Sequence, residues 1–306
     1  MSELRFLGGK GGVGKTTLAA AIGLREARRG LRTLVVSTDP AHSLGDVLGT
    51  GLGEEPREVV PGLWAAEISG RGQARRRVEQ IVADAADAVP REVLPAVRAH
   101  LERAVDSPGT VEAALLDRLT ELVERVPADF DRLVVDSAPT GHMLRLLTLP
   151  ELVTPWIEGL AGQRRRSRDT DRMFAGMLGR GEETPDPLLA RLHARRDRMA
   201  ALHRRLRTDA EVNLVVVPER VVWAETVRAL DVLGGAGIAA GAAVVNRVVP
   251  AGETGLLGAR RVAQTEVLDA VRARFGATVE VPLLPEGPTG PDALGTVIDI
   301  LVDAGW

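Results

Sequence analysis

Both lysines of this chain fall within one glycine-rich stretch, Gly8-Gly9-Lys10-Gly11-Gly12-Val13-Gly14-Lys15-Thr16-Thr17. Its centre, Gly9 to Thr16, fits G-x-x-x-x-G-K-[ST], the phosphate-loop pattern. Glycines at these positions let backbone N–H groups close around an anion. A lysine at Lys15 reaches the terminal phosphates of a nucleoside triphosphate, and the Thr16 hydroxyl can ligate Mg2+. Gly9, Lys10, Gly11, Gly12, Val13, Gly14, Lys15, Thr16 and Thr17 are therefore the expected ATP-binding segment. Of the 39 basic residues the other 37 are arginine, so ammonium groups are retained only where a planar guanidinium would not fit. Lys10 is additional to the basic pattern. A cation this far ahead of Lys15 in a tightly curled loop is expected to project away from its own nucleotide, towards that of a partner.

Phosphoryl transfer also needs a metal held in place and a water oriented for in-line attack. Two carboxylates answer these needs, because each follows an apolar run. Asp136, after Leu133-Val134-Val135, suits the outer partner of Mg2+, and Asp39, after Thr33-Leu34-Val35-Val36-Ser37-Thr38, suits the group that polarises the water. Either could instead be a helix N-cap beyond a strand. The expected catalytic residues are thus Asp39, Lys10 and Lys15, and the expected metal site is Thr16, Asp39 and Asp136. The implied cofactors are ATP and Mg2+, and the implied reaction is ATP hydrolysis.

These residues need a scaffold that brings several strand ends together. Leu4–Leu7 reads as a strand entering the loop, and a helix follows to Arg29 with Gly30 as its C-cap. Further buried strands are expected at Val212–Val217, Ala242–Val249 and Thr278–Leu284, alternating with helices near Val222–Leu233, Arg260–Phe275 and Asp292–Val302. The alternation predicts an α/β fold, a doubly wound and mostly parallel sheet of the P-loop NTPase kind. Two helix-only segments interrupt it, so one domain is expected, with a core of 1–69, 127–150 and 210–306 and an inserted helical subdomain of 70–126 and 151–209. Val111, Leu115, Leu119, Leu122 and Val126 recur there at the spacing of a core stripe. Ala161–Thr208 holds 13 Arg against 6 acidic residues, the mark of a solvated helical surface or a mobile loop.

With 306 residues the chain can bury a large core, and its net charge of −3 argues against nucleic acid as a partner. No cysteine is present, which removes disulfides, thiolate metal sites and cysteine nucleophiles. No apolar run approaches the ~18 residues of a membrane span, so a cytoplasmic location is expected.

The loop at Gly8–Thr17, the run Ser37-Thr38-Asp39-Pro40-Ala41-His42-Ser43-Leu44 and the run Asp136-Ser137-Ala138-Pro139-Thr140-Gly141-His142 together resemble the ArsA-type arsenite-pump ATPase family. That family also includes the ATPase that targets tail-anchored membrane proteins. Weaker matches follow in family order at Ser107-Pro108-Gly109, Val217-Pro218-Glu219, Glu225-Thr226-Val227-Arg228, Val244-Val245-Asn246-Arg247 and Pro282-Leu283-Leu284. The resemblance implies that Asp39 is the catalytic carboxylate, that Lys10 contacts nucleotide across a dimer interface, that Asn246 reads the adenine and that Glu219 borders the nucleotide. It implies a homodimer, since only one phosphate loop is present, and a client or membrane partner on the helical insert.

Within that insert Met173-Phe174 and Met177-Leu178 form an apolar island, with Leu188, Leu192, Met199, Leu202 and Leu206 following at helical spacing. An apolar-helix client, or core packing, would account for both, and Arg164, Arg165 and Arg166 flank them. His42 and His142 read as hinges or as ordinary polar loop residues. Without thiols, no arsenite or zinc site is expected. The rival functions are a MinD-like positioning or partitioning ATPase, a small-molecule phosphotransferase and a nonenzymatic nucleotide-gated binding module.

Overall fold

The computed structural model describes every residue except Met1, His42, 87–93, Asp106 and 178–186. Side chains are described outside these residues, 167–188 and a few further helical positions between 81 and 160. Strands β1 (Leu4–Gly8), β2 (Thr33–Ser37), β3 (Arg57–Val60), β4 (Leu63–Glu67), β5 (Arg132–Asp136), β6 (Ala210–Val216), β7 (Ala243–Val248) and β8 (Thr278–Pro282) form one eight-stranded sheet in the order β3-β4-β2-β5-β1-β6-β7-β8. All neighbours are parallel except β3 and β4. Strands β1 and β2 are buried along their whole length. That is why they read as unbroken apolar runs rather than alternating ones.

Helix α1 (Lys15–Arg28) leaves the phosphate loop and lies against β2 and β5, with its Leu18, Ile22 and Leu24 in the main core. It ends as expected at a left-handed Gly30 with φ 85°. The short α2 (Leu44–Leu48) follows the β2 end. Then come α3 (Gly70–Ala86), α4 (Leu94–Val105), α5 (Pro108–Glu124), α6 (Thr140–Met177) and α7 (Pro187–Thr208), and finally α8 (Arg220–Gly235), α9 (Gly255–Arg274) and α10 (Gly290–Asp303). The apolar face of α10, Leu294, Val297, Ile298 and Leu301, is buried and the helix packs on α1. Ala74, Val78, Val82, Val105 and Ala114 make a small separate core among α3, α4 and α5, while Leu119, Leu122 and Val126 join the main one.

Three local departures from the sequence reading have simple causes. The β3–β4 hairpin was not anticipated. Its strands are short and partly charged, and its signal is the Pro61-Gly62 turn, with Gly62 at φ 83°. Helix α6 starts at Thr140, not near 151, and continues through Pro150 and Pro155. Hydroxyls take up carbonyls around the first of these, Thr148 to Leu144 at 3.0 Å and Thr154 to Pro150 at 2.7 Å. In the arginine-rich segment, α7 is neither mobile loop nor purely solvated surface. Arg195 pairs with Asp117, Arg198 with Glu124 and Arg205 with Glu3 and Asp209.

The helical stripe of α7 goes the same way, because Met199, Leu202 and Leu206 are buried in the main core with Leu192 packed against it. Those residues are core, not client surface. The side chains of Met173, Phe174, Met177 and Leu188, and Leu178 altogether, lie outside the described residues.

Candidate active site

The sheet register puts the chemistry at one level. Leu7 of β1 pairs with Asp136 of β5, and Asp136 pairs with Ser37 of β2, so three strands end side by side. Chain order reverses about this point, where open α/β sheets bind ligands beyond the carboxyl ends of their strands. Beyond Leu7 the loop turns on glycine. Gly9 has φ 151°, and a Cβ there would run into the Val215 carbonyl oxygen. Gly14, left-handed at φ 99°, is the N-cap of α1, and its Cβ would collide with the Asn246 amide nitrogen.

Lys15, at the start of α1, is only 4% exposed and its Nζ donates to the Lys10 carbonyl at 3.1 Å. Burial lowers its pKa, opposed by the carboxylates of Asp136, Asp39 and Glu225. Lys10 itself is exposed.

Asp136 is fully buried. Its Oδ2 accepts from the Thr16 hydroxyl at 2.9 Å and from the Ser37 hydroxyl at 2.9 Å, while its Oδ1 has no hydrogen-bond partner. Burial pushes its pKa up to about 6, against the pull of the Ser37 and Thr16 hydrogen bonds and the Lys15 charge. The Thr16 hydroxyl also lies 3.2 Å from that of Ser43. This donor set fits Mg2+: a hydroxyl oxygen, a buried carboxylate with an acceptor to spare, and hard oxygens throughout. Among the described residues no cluster of three His, Asp or Glu could hold a metal. Mg2+ at a phosphate loop does not require one, since phosphate and water oxygens complete its shell.

Asp39 stands two residues beyond Ser37, half-buried. Its backbone N–H donates to the Ser37 Oγ at 3.3 Å, and its Oδ1 accepts from the Ala41 N–H at 3.0 Å. Neither carboxylate caps a helix, because α2 is capped at Ser43 and α6 begins at Thr140. Thr38 ties the two loops together, donating to the Asp136 carbonyl at 3.4 Å and accepting from the Ala138 N–H at 3.3 Å.

Set against known proteins, a model of the anion-transporting ATPase family matches residues 2–303. The chain belongs to that family. It is similar to ATPase ARSA1 of Chlamydomonas reinhardtii, at 31% identity over 95% of this chain and 39% of that one. It thus spans well under half the length of that relative. It is also similar to ATPase get3 of Schizosaccharomyces japonicus, at 29% identity over 97% of this chain and 91% of that one. The third relative is ATPase GET3B of Arabidopsis thaliana, at 31% identity over 97% and 78%.

In this ATPase a cleft of about 230 Å³ adjoins the loop, lined by Gly14, Thr17 and Leu18 on one side and by Asn246, Arg247 and the Val281–Pro288 segment on the other. The Asn246 Nδ2 donates to the Val13 carbonyl at 2.8 Å, which ties β7 to the loop. Glu219 stands apart from this cleft. It occupies the N-cap position of α8, and its exposed carboxylate pairs with Arg260 at 3.1 Å. A second cleft, of about 660 Å³, opens under Asp39, Pro40, Pro139, His142 and Met143 against Val111 and Leu115. His142 sits exposed in the first turn of α6, and His42 lies outside the described residues.

The sequence reading did not single out Ser37 or Ser43 as site residues. For Ser37 the available signal was its position as the last residue of a strand paralleling the one that ends at Asp136.

Proposed function

We propose that this ATPase hydrolyses Mg·ATP and works as a homodimeric nucleotide switch, coupling its cycle to the targeting or transport of a client or to a membrane partner. The carrying observation is the buried Asp136. It receives hydroxyls from the phosphate loop and from β2, keeps one acceptor oxygen in reserve, and stands four residues ahead of the long α6. In this reading the loop N–H groups and Lys15 hold the phosphates, and Asp39 orients the attacking water. The Thr16 hydroxyl would hold Mg2+, with Asp136 behind it. Bound Mg2+ would neutralise charge building between the β- and γ-phosphates.

Asn246 and the cleft beside it receive the adenine, and Lys10 reaches the partner subunit's nucleotide. Residues 70–126 and 151–209 act as the coupling subdomain, which the small core among α3, α4 and α5 supports. Among the described residues no helix is long and apolar enough to cross a membrane. The apolar face of α10 is buried against the core, with Leu294, Val297, Ile298 and Leu301 turned inward.

Nucleotide affinity and phosphate release, measured side by side, test the mechanism. Lys15→Ala should lose both, and Asp39→Asn should keep ATP binding while its turnover falls about 10²-fold. An Asp39→Asn protein that hydrolyses at the wild-type rate would refute the role of Asp39, and phosphorylated acceptor in place of free phosphate would favour a phosphotransferase. Sedimentation with a nonhydrolysable analogue tests the dimer. Closure should weaken in Lys10→Arg as in Lys10→Ala, because a guanidinium is wider than an ammonium.

A further inference from the structure

Arg247 is the one non-glycine residue of the described chain with a positive φ, 58°. Such a backbone persists only where its surroundings over-determine it, and such residues cluster at ligand sites. Here both sides of the residue are held. Its N–H donates to the Asn246 side-chain oxygen at 2.9 Å, and its carbonyl accepts from the Gln264 side-chain nitrogen at 3.1 Å. Gln264, 2% exposed on α9, uses its other end to accept from the Val249 N–H at 2.9 Å, so this buried amide spans Arg247 to Val249, the last residues of β7 and the one after it. That stretch is a bulge: Val245 pairs with Glu280, but Val248 pairs with Pro282, leaving β7 one residue longer than β8. Bulges re-aim side chains beside active sites.

The bulged residue lines the cleft contiguous with Gly14 and Thr17 of the phosphate loop, and it is exposed. Among the described residues its guanidinium has neither a hydrogen bond nor an ion pair. Other arginines of this chain, such as Arg195, Arg198, Arg205 and Arg260, are paired. The remaining lining is mixed, with Leu18, Leu283 and Val297 apolar, Thr17 and Asn246 polar, and one carboxylate, Glu286. Apolar side chains with an acidic group suit a flat uncharged base and disfavour a phosphate. A guanidinium at the rim of such a cleft stacks on a π-face.

We propose that Arg247 is a specificity-determining residue of the nucleotide site, its guanidinium lying across the face of the base while the Asn246–Gln264 bulge fixes its direction. The proposal rests on ATP occupying the phosphate loop and names what grips the other end of the nucleotide.

Arg247→Gly is the decisive variant, because glycine accepts the left-handed backbone and removes only the side chain. Equilibrium binding of ADP and of tripolyphosphate, each with Mg2+, is compared in wild type, Arg247→Gly, Arg247→Lys and Lys15→Ala. The expected result is an unchanged melting temperature in Arg247→Gly and an ADP affinity about tenfold weaker, with the ATPase loss appearing in KM and not in kcat. Tripolyphosphate affinity should be unchanged. Arg247→Lys, which keeps the charge and loses the plane, should match Arg247→Gly. An unchanged ADP affinity in Arg247→Gly overturns the proposal, as does an equal loss for tripolyphosphate, which would make Arg247 a phosphate contact. If Lys15→Ala binds both ligands as wild type does, the underlying loop reading has failed instead, and that result is independent of Arg247.

Discussion

Two acidic side chains whose pKa is raised by burial, Asp136 in the sheet and Asp117 in the helical layer, meet the same desolvation by different means. Asp117, on α5, has both oxygens within 3.2 Å of one guanidinium nitrogen of Arg195 on α7, so its charge is answered inside the chain. Asp136 has only hydroxyls, from Thr16 and Ser37, and one oxygen with nothing. Lys15 contributes charge at a distance but donates elsewhere. A carboxylate that a fold uses for packing is neutralised by the fold. Asp136 keeps one acceptor oxygen unused beside the phosphate loop, whereas both oxygens of Asp117 are taken.

Substituting the two carboxylates separates them most sharply. Asp136→Asn should lower ATP turnover by about 10²- to 10³-fold, the range for losing one preorganised electrostatic group, with a melting temperature at pH 8 no lower than wild type. A fall of several degrees would reassign Asp136 to the architecture. Next in size, Asp39→Asn should cut turnover about 10²-fold, as expected for a water-orienting base, while ATP binding is retained. Loss of binding would break the division of labour between Asp39 and Lys15.

A third contrast is in pH. With Asp136 raised from 3.8 to about 6, the folded protein holds a proton that the unfolded chain has released between those values. Its stability contribution is therefore full below about pH 4 and is lost as pH rises through 6, by roughly 3 kcal/mol for a shift of this size. The melting temperature of Asp136→Asn relative to wild type, measured without Mg2+ or nucleotide, should climb from pH 4 to pH 7. A flat difference would mean that this burial cost is absent.

The smallest effect is expected in the helical layer. Arg195→Leu removes the answer to Asp117 at a part-exposed position, where screening trims the cost to ~1–2 kcal/mol. That corresponds to a few degrees in melting temperature, with ATPase unchanged. A large ATPase defect there would show the two regions to be energetically joined.

The strands that carry the site were legible because parallel strands buried on both faces leave no alternation to misread: Thr33–Ser37 and Leu133–Val135 appear in the sequence as they lie in the fold. The β3–β4 hairpin was not, since β3 is half charged and its identity comes from pairing with its neighbour, not from its own pattern. Arginine content misled for a related reason. Sequence counts charges but not partners, and the acids that pair with Arg195 and Arg198 lie on α5, more than seventy residues earlier. Thr16 and Asp136 were marked by motif and strand-end position, and they meet at 2.9 Å. Ser43 lies in the Ser37–Leu44 run that marked the family resemblance, but its place beside Thr16, 3.2 Å between hydroxyls, came only with the fold. Glu219 was marked by family order alone, and its side chain points to Arg260.

The two lysines give the folded protein an unusual chemical simplicity. Lys10 is exposed and Lys15 is almost wholly enclosed, with its ammonium resting on the Lys10 carbonyl. An acylating reagent that seeks side-chain amines therefore has one accessible target, and it lies in the phosphate loop. A lysine-specific protease has only two peptide bonds to attack, again in that loop, however much of the remaining surface is offered to it. The rate of either reaction therefore reports on the Gly8–Thr17 stretch alone, without any engineered label.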